Sequence, residues 1–277
     1  MNKQKRVIAI NDISSFGKCS LTVAISVLGA AGLETCAVPT AVLSAHTGFK
    51  GYTFYDLTEN ILPSANHWKS MGLEFDGIYT GYLGSKEQIK CVEKIMDMFS
   101  VSIKLVDPVM GDDGKLYDGF SEDFPKEMKK LIKKADIIVP NVTEACLLTD
   151  ISYCSEHTKE YINELIKALS SVCDADIIIT GINSQKDKIC TAVYENGEIT
   201  YIENDKQRAV YSGTGDVFAS TFMAALMRGL SIKDAAKTAA DFVGECIELT
   251  KKISSSRHYG INFELNTKSL LKKLNII

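Results

Sequence analysis

Tyr211-Ser212-Gly213-Thr214-Gly215-Asp216-Val217-Phe218-Ala219-Ser220 joins two glycines directly to an apolar run that continues through Phe222, Met223 and Leu226. The pattern predicts a tight turn feeding the N-terminus of a buried helix. The first N–H groups of such a helix have no partner within it, and the dipole there favours negative charge. A phosphate can therefore rest against Gly213, Thr214 and Gly215 without a basic side chain. Asp216 falls in the first turn and admits two readings. Its carboxylate suits a base taking a proton from an attacking hydroxyl, or it complements the helix dipole behind a Ser or Thr cap.

Working outward, the remaining chain alternates apolar strands with helices. Arg6 to Ile10 reads as a strand, Asn11 to Gly17 as a polar turn and Leu21 to Leu28 as a helix, the opening of a βαβ unit. Ligands in such sheets bind beyond the C-terminal strand ends, where Asn11 and Asp12 stand; Asp12 or Ser14 equally reads as a helix cap. Further strands are expected over Glu34 to Pro39, Asp76 to Thr80, Ser102 to Val106, Asp136 to Pro140 and Asp176 to Thr180. Ser44 to Phe49 has the make-up of a strand-end loop, in which His46 is a ligand contact or a structural donor. Leu57 to Lys69 reads as a weak helix interrupted by Pro63, with Trp68 as a packing residue.

Asp107, at a strand end, and Asp112 five residues on can hold a hydrated Mg²⁺ or position phosphates, or are two turn aspartates. Asn141 and Glu144 have the spacing of a capping box. Asn196-Gly197 between Ile189 to Tyr194 and Glu198 to Ile202 predicts a hairpin, giving the sheet an antiparallel edge. Helices are expected over Val217 to Arg228, Ile232 to Leu249 and Thr267 to Leu274.

Composition narrows the class. The chain has 277 residues, 45% of them hydrophobic and 24% charged, with a net charge of −4, so no basic field invites nucleic acid. The apolar run after the basic N-terminus is too short for a signal peptide, and no stretch approaches a membrane span. A cytoplasmic protein with reduced cysteines is expected, since the eight cysteines show neither Cys-x-x-Cys pairs nor zinc spacing. A Walker P-loop, a dinucleotide fingerprint and a Gly-x-Ser-x-Gly elbow are all absent. A phosphate site must therefore use the Gly213 to Asp216 turn.

The ordered set Asn11-Asp12…Gly17, Ser44…His46-Thr47-Gly48, Gly81-Tyr82-Leu83-Gly84-Ser85, Val106-Asp107-Pro108-Val109-Met110-Gly111-Asp112, Pro140-Asn141-x-x-Glu144 and Ser212-Gly213-Thr214-Gly215-Asp216 resembles the pyridoxal/pyridoxamine kinases of the ribokinase-like superfamily over about residues 6 to 250. The resemblance implies one domain over residues 1–277 with a three-layer α/β ribokinase-like fold, its mostly parallel central sheet flanked by helices. It further implies ATP and Mg²⁺, a monovalent cation being an open addition, a vitamin B6 substrate and a homodimer.

By matching positions it makes Asp216 the base and Gly213, Thr214 and Gly215 the anion hole. Asp107, Asp112 and Glu144 would organise Mg²⁺ and phosphates largely through water, Asp107 and Glu144 as the metal residues, with Asn141 nearby and Thr180 touching the nucleotide. His46, Thr47, Tyr82 and Asp12 would line the vitamin pocket. Position 12 departs from the pattern: related pyridoxal kinases usually carry Ser, whereas Asp12 followed by Ser14-Ser15 is closer to hydroxymethylpyrimidine kinases. A carboxylate there can pair with a cationic ring nitrogen or an amine. The B6 reading, favoured by His46-Thr47-Gly48 and Gly81 to Ser85, thus competes with a pyrimidine kinase, and more distantly with a non-catalytic binder. A sugar kinase lacks support, because residues 11 to 75 contain no strand-rich lid with a Gly-Gly hinge. A lid is expected within Asp112 to Phe124.

Overall fold

Val7 and Ala9 point into one core, while Ile8 and Ile10 between them point into another. All four are fully buried, so this strand is covered on both faces. Burying Ile8 and Ile10 contributes about 1.5–3 kcal/mol each. The computed structural model describes residues 3–185, 187–207, 211–253 and 259–277.

In chain order the elements begin with β1 (Arg6–Ser14), α1 (Ser20–Ala30), β2 (Glu34–Leu43), β3 (Phe54–Asp56), α2 (Thr58–Ser70), β4 (Gly77–Thr80), α3 (Lys86–Met98) and β5 (Ile103–Val106). The middle holds a small hairpin of β6 (Gly111–Asp112) and β7 (Lys115–Leu116), then α4 (Phe124–Ile132), β8 (Ile137–Ile138), α5 (Val142–Thr149) and α6 (Lys159–Ser170). The chain continues with β9 (Asp176–Gln185), β10 (Lys188–Glu195), β11 (Glu198–Asp205), α7 (Thr214–Met227), α8 (Ile232–Ile253) and α9 (Thr267–Lys273).

Among the described residues one sheet runs in the order β11-β10-β9-β8-β5-β4-β1-β2-β3. The strands from β9 to β2 are parallel; β10, β11 and β3 are antiparallel additions at the two edges. Residues of α1, α7, α8 and α9 form the core on one face, and residues of α2 through α6 form the core on the other. The mostly parallel three-layer α/β fold is therefore as expected. From β1 the chain turns outward to β2 and then returns to β4 on the opposite side. Such a reversal opens a crevice at the C-terminal ends of β1 and β4.

Several elements differ from the sequence reading. β1 continues through Asn11, Asp12 and Ser14 where a turn was expected, with an irregularity between Asn11 and Ile13 against β2. β2 likewise continues past Pro39, which pairs opposite Asn11 just where the ladder is broken, so its missing N–H is tolerated. β3 was not anticipated. α2 runs unbroken through Pro63, whose ring lies on the exposed side. β8 shrinks to Ile137–Ile138, while β9 does not stop at Thr180 but continues alongside β10.

Other expectations match. Asn196 (φ 52°) and Gly197 (φ 83°) make the tight turn joining β10 to β11. The eight cysteines are free, with Cys19, Cys146, Cys173, Cys190 and Cys246 buried. Among the described residues no helix is long and apolar enough to cross a membrane.

Candidate active site

The turn before α7 has a backbone that only glycine accepts comfortably. Gly213 is the N-cap, with φ 76°, and a Cβ there would overlap the carbonyl oxygen of Lys18. This contact presses the β1–α1 loop onto the start of α7. No side chain caps the helix. The amides of Thr214, Gly215 and Asp216 precede the first possible intrahelical bond and remain donors for an anion. The rest of the helix, Val217 to Met227, is buried between α1 and α8, which holds the turn in place.

Asp216 projects from this first turn to the crevice between β1 and β4. Its Oδ1 lies 3.4 Å from the Asn11 amide nitrogen. Asn11, 1% exposed within β1, accepts the Tyr82 N–H at 2.8 Å and the Asp12 N–H at 3.0 Å through its Oδ1. Burial pushes the Asp216 carboxyl from its ordinary 3.8 up to about 6; the Ser20 N–H opposes the rise, Asp12 adds to it, and the Asn11 amide opposes it. A carboxyl at that value is mostly ionised at neutral pH yet remains a competent proton acceptor.

Asp12 is 4% exposed. Its Oδ2 accepts the Ser14 hydroxyl at 3.0 Å, so neither Asp12 nor Ser14 caps α1, whose N-cap is Cys19 with no side-chain bond. Burial raises the Asp12 pKa, and the Ser20 and Ser14 hydroxyls offset part of that. Ser20 itself has a left-handed backbone (φ 57°) in spite of its Cβ, a strained conformation of the kind found at functional sites. The Cys19 thiol is pushed up to about 12 by burial, then by Asp216 and Asp12, and stays a neutral neighbour.

Asp107, 7% exposed beyond β5, is held well above the usual carboxylate range by burial, then by Glu144 and Asp216. Glu144 does form the capping box: its Oε2 accepts the Asn141 N–H at 2.9 Å while the Asn141 Oδ1 accepts the Glu144 N–H at 2.9 Å. Its Oε1 also takes the Met110 N–H at 3.1 Å, tying α5 to the segment after β5. Burial raises its pKa and the three backbone donors from Asn141, Met110 and Gly111 pull it down. Asn141 further donates to the Gly111 carbonyl at 2.8 Å and pairs with Thr180 across a parallel bridge. Asp112, the exposed neighbour of Gly111, accepts the Asp113 N–H at 2.9 Å.

The expected vitamin-pocket residues divide. Tyr82 is bound into the crevice by its N–H to Asn11, and its ring packs on Phe120 at 5.6 Å. The His46 N–H donates to the Phe16 carbonyl at 3.1 Å, and its ring packs on Phe49 at 4.7 Å. Its Nδ1 accepts the Gly48 N–H at 3.1 Å, which leaves Nε2 as the donor; that atom is buried without a partner, and burial lowers the ring's pKa. Thr47 is exposed in the same loop, and no contact among the described residues joins it to the acids.

The sequence placed Asn11 at the ligand end of its strand without giving it a role, and Ser20 was not singled out. An Asn ending an apolar strand ahead of an Asp was the available signal for the first; nothing in the sequence marks the backbone of the second.

Among the described residues no group of three or more His, Cys, Asp or Glu side chains could hold a metal ion directly. The donor set does fit a hydrated Mg²⁺, which keeps several waters and takes one or two carboxylates alongside phosphate oxygens. Asp107 supplies a buried carboxyl facing Glu144 and Asp216 with no cation among the groups that shift it. Glu144 keeps lone pairs beyond those given to backbone amides.

The sequence matches the phosphomethylpyrimidine kinase family over residues 23–261. It is 36% identical to a Bacteroides thetaiotaomicron protein whose crystal structure was solved with pyridoxal, at a TM-score of 0.92 covering 97% of this chain and 96% of that one. The pyridoxal kinase of Lactobacillus plantarum superposes with a TM-score of 0.90 at 29% identity, over 98% of each chain. Bovine pyridoxal kinase is 27% identical over 249 residues, 81% of this chain and 78% of its own length. The chain spans only 60% and 63% of two further curated relatives.

Proposed function

The chain belongs to the phosphomethylpyrimidine kinase family, as an ATP-dependent small-molecule kinase, and from that premise we propose that it phosphorylates the hydroxymethyl group of pyridoxal, pyridoxamine or pyridoxine to the 5′-phosphate. The observation that carries the reading is the Asp216 carboxyl, bonded to Asn11 at the β1–β4 crevice and adjoining the free amides of α7. Little covalent chemistry falls to the protein in phosphoryl transfer; it must align an alcohol with the γ-phosphorus and offset charge on the moving group. The substrate oxygen bonds to the γ-phosphorus as the bond to the bridging oxygen of ADP breaks. The hydroxyl proton passes to an Asp216 Oδ atom. The amides of Thr214, Gly215 and Asp216 receive the γ-phosphate oxygens. Asp107 and Glu144 would hold a hydrated Mg²⁺ through its waters, and the ion would supply positive charge to offset that of the phosphates.

Asp112, Asn141 and Thr180 line the nucleotide side in this reading, and Asp12, His46, Thr47 and Tyr82 the vitamin side. A second reading, hydroxymethylpyrimidine as the acceptor, is supported by Asp12. No basic group is among those that shift this buried carboxyl, so it suits a ring or exocyclic nitrogen that donates a hydrogen bond. A Bacillus subtilis hydroxymethylpyrimidine/phosphomethylpyrimidine kinase is 29% identical over 200 residues. ATP consumption measured with pyridoxal, pyridoxamine, pyridoxine and hydroxymethylpyrimidine decides between them: faster turnover of the pyrimidine would displace the B6 reading, and no turnover of any would remove both.

The protein is further proposed to act in the cytoplasm as a homodimer in a single-domain form. Light scattering on the purified protein checks the dimer, and a monomer mass would exclude it.

A further inference from the structure

Asn11 lies on β1, from which the chain first adds β2 on one side and then β4 on the other, and its amide orientation is fixed without reference to any ligand. Two backbone N–H groups, those of Tyr82 and Asp12, point at the same side-chain atom at 2.8 and 3.0 Å. That atom must be the oxygen, so the amide NH₂ is the group left facing Asp216 Oδ1 at 3.4 Å. The space it occupies exists because position 81 is glycine: a Cβ on Gly81 would overlap the Asn11 side chain. One residue therefore links the ends of β1 and β4 and presents a donor to a carboxylate on α7.

We propose that Asn11 is a positioning residue for the phosphoryl transfer, holding the Asp216 carboxylate ionised and aimed at the substrate alcohol. The inference rests on the reading of Asp216 as the base. A neutral donor suits this task because, among the described residues, the titratable groups whose charge acts on or is acted on by Asp216 are all acids: Asp12 on β1, Cys19 ahead of α1, Tyr79 on β4, Asp107 after β5 and Tyr117 after β7. A cation at position 11 would pair with the carboxylate and weaken it as a proton acceptor. A carboxylate would compete with it for the proton.

The test is the pH profile of kcat/KM for Asn11→Asp, which is isosteric and keeps an oxygen for the Tyr82 and Asp12 amides while turning the group facing Asp216 from donor to acceptor. The acid limb should move up by at least about one pH unit, with a loss of roughly twofold or more at pH 7 that recovers toward pH 9, and with the KM for ATP little changed. If this variant does not fold, Asn11→Ala carries the same test with a smaller upward move. An acid limb at the wild-type position, or a loss equal at every pH, would overturn the inference, since a purely structural role predicts one or the other. Asp216→Asn is measured in parallel: full activity there removes the base reading itself, whereas an inactive Asp216→Asn beside an unmoved acid limb removes only the role of Asn11.

Discussion

Replacing Asp216 by Asn should make the protein both inactive and more stable, and the two effects separate with pH. A carboxyl moved from 3.8 to about 6 on folding favours its neutral form in the native state by about 3 kcal/mol, at about 1.36 kcal/mol per pH unit. The native state thus binds this proton more tightly than the unfolded chain does. Its contribution is complete below pH 3.8 and is lost as pH rises through 6. Above that, the ionised side chain opposes folding. Because Asp216 is half-buried, solvent offsets part of the penalty, and a gain of roughly 1–3 kcal/mol is expected for the uncharged isostere at pH 8.

For a chain of this size the gain corresponds to a Tm rise of roughly 2–5 °C. Thermal unfolding at pH 8 and pH 4.5 reads it: the variant should gain in the first buffer and lose most of that advantage in the second. Turnover should fall by about 10²–10⁴-fold at every pH, since the loss of a positioned base is not repaired by alkali. Undiminished kcat would refute the role of the acid, and a Tm gain independent of pH would refute the account of its burial.

Gly213→Ala meets two obstacles at once, a left-handed backbone and the Lys18 carbonyl. The backbone alone costs about 1–2 kcal/mol, and pushing the β1–α1 loop away should lower kcat more than it raises the KM for the acceptor; steady-state kinetics check this, and wild-type kcat would show that the turn has room to spare. Glu144→Gln leaves one oxygen for two opposed sets of backbone donors. With an amide NH₂ facing a backbone N–H, the loss should be about 1–3 kcal/mol, visible by urea unfolding and accompanied by a higher KM for ATP. An unchanged unfolding midpoint would mean that α5 is held by other contacts.

The glycine turn, the apolar strands and the Asn196-Gly197 hairpin were legible because each is settled by neighbours in sequence: positive φ, two-sided burial and a two-residue loop leave local marks. What was misread depends on distant partners. Asn11, Asp12 and Ser14 look like a turn until β2 is laid beside them, and only Tyr82, 71 residues on, shows why an Asn stands there. Pro39 and Pro63 look like stops, yet one coincides with a break in the ladder and the other faces solvent. Glu144 fits the capping and the phosphate-site readings alike, since the box that fixes α5 also reaches Met110. His46 could not be oriented from its loop alone; the Gly48 amide fixes its tautomer.

The pairing of Asn11 with Asp216 spans 205 positions of the chain. During synthesis the ribosome delivers the crevice long before it delivers the acid. On the proposed reading of Asp216 as the base, a nascent chain cut short before α7 would therefore carry pocket side chains but no means of drawing off a proton. Bringing together segments so far apart also burdens the folding rate with loop-closure entropy. Activity recovered during refolding should consequently lag behind the return of helical signal.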